Sequence, residues 1–444
     1  MKLTVHNLGR IKDAELDIKP LTVFSGHNGT NKTWVAWALF ELLQLVSTGP
    51  NAEDVLIPEG PDPLTNKVRE KIKPLIEALD QGTSAAAVTL DVATLEPWPN
   101  GRIEDKLEII ALTDLFGEKA NVSDDAHVHI SISIDELEAQ HDSVTVEFEP
   151  ELGRLGITSK WHYSDGTFRG VKRTYVRSDW NGELLTHLAA WSLKQSLKTV
   201  LCFPADRAGI LLAAEGGAQS FALPSPVKNF LEVMRLMRTA HRAVPLKDRL
   251  LPFLTRIVGG EIRPAGSKGE ERLILDVAGR ELPISVASSL SRSLAGLAHY
   301  IRSFASPGDV LLIDELEMNA HPAAQLALVE LMAVMVSHGI RIVFTTHSPY
   351  VMDHLNNLLE AGRAPKDRQA KLAEQFQLRT SRAFLPADRV AVYAFEEKPD
   401  GSEVTVTNAI DPESGLITKS TFAPVTQRLS QLFNSALDAA EDGE

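Results

Sequence analysis

Two short apolar runs constrain the fold more than any other feature of this sequence. They are Val310–Ile313 and Ile340–Phe344, and each follows a stretch with helical spacing, Ser289–Phe304 and Ala323–Ser337 respectively. A strand without polar residues has to be covered on both faces, and strands that alternate with helices form parallel sheets. We therefore predict an α/β fold with a mainly parallel core sheet flanked by helices.

The start of the chain has a different pattern. Apolar residues in Leu3–Phe24 alternate with polar ones around a turn, and the last apolar run begins after Pro20, where a missing N–H is tolerated. Trp34–Val46 has helical spacing. This part is therefore predicted to contain antiparallel strands, followed by a strand, a glycine-containing loop and a helix.

The middle of the chain is predicted to be a β-rich and helical insertion. Val128–Ile134 and Val144–Phe148 alternate in the manner of antiparallel strands with one wet face. Helices are expected at Glu183–Lys198 and over 225–258, the latter with interruptions at Pro245 and Pro252. The predicted division is 1–85 for the N-terminal part of the main domain, 86–270 for the insertion and 271–444 for the C-terminal part.

Composition excludes several classes of protein. The net charge of −14 argues against a surface that coats nucleic acid non-specifically. The single cysteine, Cys202, excludes a disulfide framework and fits a reducing compartment. The most apolar stretch, Pro322–Val336, contains polar residues and is too short for a membrane span. We expect a cytoplasmic protein without membrane contact.

The loop Gly26–Thr33 matches the phosphate-binding pattern of a glycine, four residues and Gly-Lys-Ser/Thr at every position but one. In such a loop, main-chain N–H groups and a helix N-terminus surround the phosphates. Lys32 would reach the β- and γ-phosphates, and Thr33 would offer its hydroxyl to Mg²⁺.

Asn31 stands where this pattern has its second glycine. Asparagine is the residue that best replaces glycine at positive φ, so the substitution is mild. Its amide side chain either points away from the phosphates or competes with them for space. The residues of the loop predicted to bind nucleotide are Asn28, Gly29, Asn31, Lys32 and Thr33.

Polar residues end the two apolar strands. Asp314 and Glu315 follow the first strand, and two adjacent acids at such an edge are costly unless a cation and a reacting water use them. Asp314 would hold Mg²⁺ together with Thr33, and Glu315 would polarise the attacking water. His347 follows the second strand and would contact the γ-phosphate or that water.

The order of these motifs resembles that of ABC-type ATPases of the SMC/RecF/OLD group, which includes small AAA ATPases of prokaryotic defence systems. The resemblance rests on the phosphate loop, Leu311–Glu315, Glu317–Pro322 and Thr345–Ser348, and covers about residues 1–45 and 280–360. It implies ATP and Mg²⁺ as cofactors and hydrolysis of ATP to ADP and phosphate. It also implies a homodimer or higher homo-oligomer with nucleotides between two heads.

The same resemblance suggests two further site residues. Ser289 is in the signature position, where a helix N-terminus meets the γ-phosphate bound by the opposite subunit, although the usual Ser-Gly-Gly core is missing. Phe203–Arg207 resembles a Pro-Ala-x-Arg segment of small defence-type ATPases. Arg207 is therefore expected near the nucleotide, and a salt bridge at the end of a strand is the alternative.

Three functions remain open at this point. The first is a hydrolysing switch that controls a separately encoded nuclease or toxin, as in anti-phage systems. The second is a nucleotide-locked scaffold with little turnover. The third is a RecF-like DNA-repair ATPase, suggested by a basic and aromatic cluster whose alternative is a solvated β face. The cluster consists of Trp161, Tyr163, Phe168, Arg169, Lys172, Arg173, Tyr175 and Arg177.

Overall fold

A computed structural model shows how these elements assemble. It describes residues 1–48, 56–58, 86–91, 101–107, 115, 125–133, 143–151, 154–162, 168–176, 199–215, 223–239, 244–266, 272–418 and 423–441. The strands are β1 (Lys2–Leu8), β2 (Ile11–Asp17), β3 (Leu21–Gly26), β4 (Leu56–Pro58), β5 (Ala86–Asp91), β6 (Gly101–Leu107), β7 (His127–Ser133), β8 (Ser143–Glu151), β9 (Arg154–His162), β10 (Phe168–Val176), β11 (Val200–Phe203), β12 (Glu261–Ala265), β13 (Arg272–Val277), β14 (Arg280–Pro283), β15 (Val310–Ile313), β16 (Arg341–Thr346), β17 (Val390–Glu397) and β18 (Val404–Asn408). The helices are α1 (Lys32–Thr48), α2 (Arg207–Glu215), α3 (Ser225–Thr239), α4 (Lys247–Val258), α5 (Ser289–Ser303), α6 (Pro322–Ser337), α7 (Pro349–Arg363), α8 (Lys366–Ala373) and α9 (Ala423–Glu441).

A large sheet forms the centre of the molecule. Its described strands follow the order β11-β15-β16-β3-β17-β18-β2-β1-β7-β6-β4. The first five of these pair in parallel, whereas β1 pairs antiparallel with both β2 and β7. The predicted α/β fold, with a parallel core and antiparallel N-terminal strands, is thereby confirmed.

Both faces of the parallel strands are buried, as their lack of polar residues predicts. In β15, Leu311 and Ile313 belong to one apolar cluster, while Val310 and Leu312 belong to the other. The first cluster also takes in the apolar residues of α5, α6 and α7, and the second takes in those of α1 and the N-terminal strands. Helices therefore cover the sheet on its two sides, which fixes the strand ends in place.

Local capping explains where the helices beside the strand ends begin. The Ser348 hydroxyl accepts a hydrogen bond from the Val351 N–H at 3.3 Å, and Pro349 supplies the first residue of α7. The Ser288 hydroxyl accepts from the Ser291 N–H at 3.1 Å and so caps α5. Serine at the N-cap and proline just after it are strong helix-start signals.

A buried acid joins α6 to the segments that follow it. Glu330 is fully buried, and its carboxylate lies 2.8 Å from Nε2 of His354 in α7. The same carboxylate accepts the main-chain N–H groups of Gln377 at 3.0 Å and Leu378 at 2.7 Å. Since every described partner lies outside α6, Glu330 acts as a connector between elements.

The insertion contributes to more than one sheet. Strands β6 and β7 extend the main sheet beyond β1, and β11 forms its other edge next to β15. Strands β5, β8, β9 and β10 make a separate antiparallel sheet. Of the basic and aromatic cluster, Tyr163 and Arg177 lie outside the described residues, and the other members lie on β9 and β10. The division at residues 85 and 270 stays a prediction.

One helix differs from the expectation. The predicted stretch 225–258 is split near Pro245 into α3 and α4, but Pro252 lies inside α4 and does not interrupt it. The buried side chains of Leu250 and Leu254 anchor the helix on either side of the proline. Packing therefore outweighs the one missing hydrogen bond. The helix expected at Glu183–Lys198 lies outside the described residues.

Within the described part of the chain, no helix combines the length and apolar character needed to cross a membrane.

Candidate nucleotide site

Three parallel strands bring the sequence motifs to one edge of the sheet. In register, Ile313 of β15 is opposite Phe344 of β16, and Thr346 of β16 is opposite Ser25 of β3. The residues after these positions therefore leave the sheet side by side. They are Asp314, His347 and Gly26, the first residue of the loop.

The backbone conformation of the loop explains why glycine occupies two of its positions. Gly26 has φ 154°, and a Cβ there would lie 2.3 Å from the Phe395 carbonyl oxygen of β17. Gly29 has φ 76° and Asn31 has φ 62°, so the asparagine occupies the left-handed region. The loop wraps back to α1, whose first residue is Lys32. Asn28 and Gly29 are exposed at its outer edge.

The Lys32 ammonium group is held inside the loop. Its Nζ donates to the carbonyl oxygens of Gly26 at 3.0 Å and His27 at 2.6 Å, and to the Thr30 hydroxyl at 3.1 Å. Burial lowers the pKa of Lys32 to about 8, although the nearby acids act in the opposite direction. The loop thus centres one positive charge among its own main-chain groups at neutral pH.

Thr33 and Asp314 meet across the loop and the sheet. The Thr33 hydroxyl lies 3.0 Å and 3.1 Å from the two carboxylate oxygens of Asp314. The Thr345 hydroxyl donates to the same carboxylate at 2.6 Å. Burial raises the pKa of Asp314, while these two hydroxyls lower it. A hydroxyl and a carboxylate oxygen are hard ligands of the kind that Mg²⁺ selects, so the pair fits that ion.

Glu315 is placed beside this pair by an uncommon backbone conformation. Its φ is 48°, and its N–H donates to the Thr345 hydroxyl at 2.8 Å. Burial and the neighbouring charge of Asp314 raise the pKa of Glu315. Positive φ at a residue other than glycine costs free energy, and such residues concentrate at functional sites.

His347 faces Glu315 from the next strand. Its Nε2 lies 3.9 Å from Oε1 of Glu315. Burial lowers the pKa of His347 to about 4, and the charge of Lys32 contributes in the same direction. The imidazole is therefore neutral at pH 7 and can act as a hydrogen-bonding group but not as a cation.

Arg207 lies behind the acidic pair. It is almost completely buried, and its guanidinium donates only to main-chain oxygens among the described residues. The acceptors are the carbonyl groups of Pro204, Ser293, Asp314 and Glu315. No salt bridge joins it to a described acid. Arg207 thus links the end of β11, the start of α5 and the end of β15.

Ser289 is the first residue of α5 and its side chain is exposed. The α5 terminus belongs to the same part of the molecule, because Ser293 of its second turn accepts a hydrogen bond from Asn319 at 2.8 Å as well as one from Arg207. The start of α5 is therefore exposed to solvent at Ser289.

Two further residues take part that the sequence did not single out. Thr345 holds Asp314 and the Glu315 N–H, and Glu317 accepts the His347 N–H at 2.6 Å. Both stand within motifs already noted, as the first threonine of Thr-Thr-His and the third acid of Asp-Glu-Leu-Glu. A polar residue inside an otherwise apolar strand end is the signal that could have found Thr345.

Comparison with known proteins finds one family whose model matches part of this chain. Residues 246–353, which include α5, the acidic pair and His347, match the family described as "AAA domain, putative AbiEii toxin, Type IV TA system". No curated protein matches the sequence. The match covers less than half of the chain and includes the acidic pair and His347, on which the predicted resemblance to ABC-type ATPases partly rests.

Three SMC head structures are among the solved structures that match this chain. The SMC head bound to the C-winged helix domain of ScpA is 12% identical, with a TM-score of 0.40 over 93% of this chain and 98% of the other. The Thermotoga maritima SMC head domain is 10% identical, with a TM-score of 0.33 over 92% of this chain and 97% of the other. The Pyrococcus furiosus SMC head with an extended coiled coil, bound to the C-terminal domain of ScpA, is 11% identical. Its TM-score is 0.36 over 97% of this chain and 98% of the other.

Proposed function

We propose that this chain is an ATP-binding and ATP-hydrolysing switch of the ABC type. The observation that carries the proposal is the meeting of Thr33, Asp314 and Glu315 beside the Lys32 loop. These groups supply a phosphate cradle, a ligand pair for a hard cation and a carboxylate for water. They occupy one sheet edge although they come from distant parts of the sequence.

The chain's own groups would divide the work of phosphoryl transfer. Lys32 and the main-chain N–H groups of the loop would bind the β- and γ-phosphates. Thr33 and Asp314 would hold Mg²⁺, which supplies positive charge against the phosphate oxygens when bound. Glu315 would accept a hydrogen bond from the attacking water, and neutral His347 would orient that water or the γ-phosphate.

A second subunit would complete each site. The exposed start of α5 carries Ser289 and is the element that would meet the γ-phosphate of a partner. Ser288 already caps this terminus through the Ser291 N–H, which leaves fewer free donors for a phosphate. That observation favours slow turnover and keeps a nucleotide-locked scaffold as the alternative.

The biological setting belongs to the same proposal. The description of the matching family names a toxin–antitoxin system. This favours the proposal that the chain is a cytoplasmic regulator in prokaryotic defence. A separately encoded nuclease or toxin would act as the effector, by analogy with defence systems that contain such ATPases. Co-purification with the product of a neighbouring gene tests this part.

Measurement of ATP turnover tests the central proposal. The purified chain should hydrolyse ATP with Mg²⁺, and turnover per chain should rise with protein concentration because sites are completed in trans. Tight ATP binding with turnover no faster than that of Glu315→Gln would favour the scaffold. Absence of ATP binding at any protein concentration would refute both functions.

A further inference from the structure

The Asn31 side chain does not point at the place where phosphates would lie. Its Oδ1 accepts a hydrogen bond from the Arg10 main-chain N–H at 3.0 Å, in the turn between β1 and β2. Gly9 of the same turn lies close to the other side of the Asn31 amide. A Cβ added at Gly9, which has φ 62°, would lie 2.4 Å from Nδ2 of Asn31. The phosphate loop and the β1–β2 turn are therefore fitted to each other.

Arg10 continues the connection to the C-terminal part of the chain. Its guanidinium contacts the Glu397 carboxylate at the end of β17 and donates to the Gly401 carbonyl oxygen at 2.5 Å. Its own carbonyl accepts the Val404 N–H at 2.8 Å at the start of β18. The β1–β2 turn thus holds the β17–β18 turn through main-chain and side-chain groups together.

We propose that Asn31 is a positioning residue that ties the phosphate loop to the β1–β2 turn and, through Arg10, to the β17–β18 turn. Glycine at this position would supply positive φ equally well, but it has no acceptor for the Arg10 N–H. The asparagine therefore adds a tether that the usual loop pattern lacks. This inference rests on the proposed function only in assigning the loop to nucleotide.

The tether acts on nucleotide affinity, because it fixes the loop before phosphate arrives. Replacing Asn31 by glycine removes one hydrogen bond and keeps the backbone conformation. We expect the Kd for ATP to rise about 3- to 10-fold, the range that one hydrogen bond of ordinary strength gives. The loss should appear mainly in the Kd for ATP and less in the single-turnover rate at saturating ATP, since Glu315 and His347 are untouched. A variant that was only less stable would instead lose active protein with an unchanged Kd.

A double-mutant cycle with Glu397→Ala tests whether the links act in series. Glu397 is a surface residue of the tether and has no part in the nucleotide site. Its replacement should weaken ATP binding by about twofold in the wild-type background, and should have no effect once Asn31 is glycine. The same factor in both backgrounds would overturn the proposal, and so would wild-type affinity of Asn31→Gly.

Amide hydrogen exchange without nucleotide separates this proposal from the proposed function. In Asn31→Gly, residues 26–33 and the β1–β2 turn should exchange about tenfold faster than in wild type. If Lys32→Ala binds ATP normally, the nucleotide assignment fails, yet the exchange result still decides the tether. Unchanged exchange in Asn31→Gly refutes the tether whatever the ATP result is.

Discussion

Individual side chains at the proposed nucleotide site are held by neighbours that fix both position and charge. Asp314 sits between two hydroxyls, Lys32 is centred by loop oxygens, and His347 is kept neutral by burial. Such fixed groups need little rearrangement when charge develops during a reaction. Three replacements or conditions at this scale test the assigned roles.

Glu315→Gln should bind ATP and fail to hydrolyse it. The amide keeps the shape of the side chain and loses the charge that polarises water, so turnover should fall at least about 100-fold. Phosphate release and nucleotide binding are measured on the same preparation, and a trapped dimer should be visible by size-exclusion chromatography. Wild-type turnover, or loss of nucleotide binding, would contradict the role of Glu315.

Lys32→Ala should remove tight ATP binding, because it removes the loop cation that is proposed to bind the β- and γ-phosphates. Lys228→Ala is a matched control, since that lysine is exposed on α3. Isothermal titration of both variants with ATP and Mg²⁺ gives the comparison. Equal affinity of the Lys32 variant and the control would refute the phosphate-loop assignment.

The pH dependence of hydrolysis should show no step at the usual histidine pKa. His347 has its pKa lowered to about 4 by burial and by the charge of Lys32, so it is already neutral above that value. Turnover should therefore be flat between about pH 6 and 7.5 as far as this group is concerned. A fall in turnover below about pH 6.5 that disappears in His347→Gln would show that the imidazole titrates there instead.

At the scale of elements, the buried carboxylate of Glu330 connects α6 to α7 and to the segment that follows α8. Glu330→Ala should destabilise the protein by about 3 kcal/mol, because it leaves His354 and two main-chain N–H groups without their acceptor. Urea unfolding measures the change. Glu360→Ala is the control, since its pair with Arg363 is exposed and contributes little. Equal midpoints for the two variants would show that Glu330 is not a structural connector.

The strand ends also show what a sequence can and cannot reveal. Val310–Glu315 predicts a buried strand with a reactive edge, since only a covered strand tolerates such a run. The contact between Thr345 and Asp314 depends instead on the register of two strands, which local pattern does not encode. The direction of the Asn31 side chain depends on its hydrogen bond with Arg10 in the β1–β2 turn. This contact, too, could be seen only in the tertiary structure.

At the scale of the whole molecule, the proposed site should be shared between two chains. Lys32→Ala and Ser289→Arg should each be inactive alone. Mixing them in equal amounts should restore about one quarter of wild-type turnover, because half of the dimers then carry one intact site of two. The measurement is ATP hydrolysis after subunit exchange. Additive residual activity, with no gain on mixing, would show that each site lies within one chain.

The position of β3 between β16 and β17 has a consequence for folding during synthesis of the chain. Leu21 pairs with Ile342 on one side and with Val390 on the other, so the strand that carries the phosphate loop is made early and both of its neighbours are made late. At ordinary rates of translation, this apolar strand waits on the order of tens of seconds on the ribosome. Long sequence separation also slows folding itself. We expect the nascent chain to depend on chaperones until the second half of the sheet has been made.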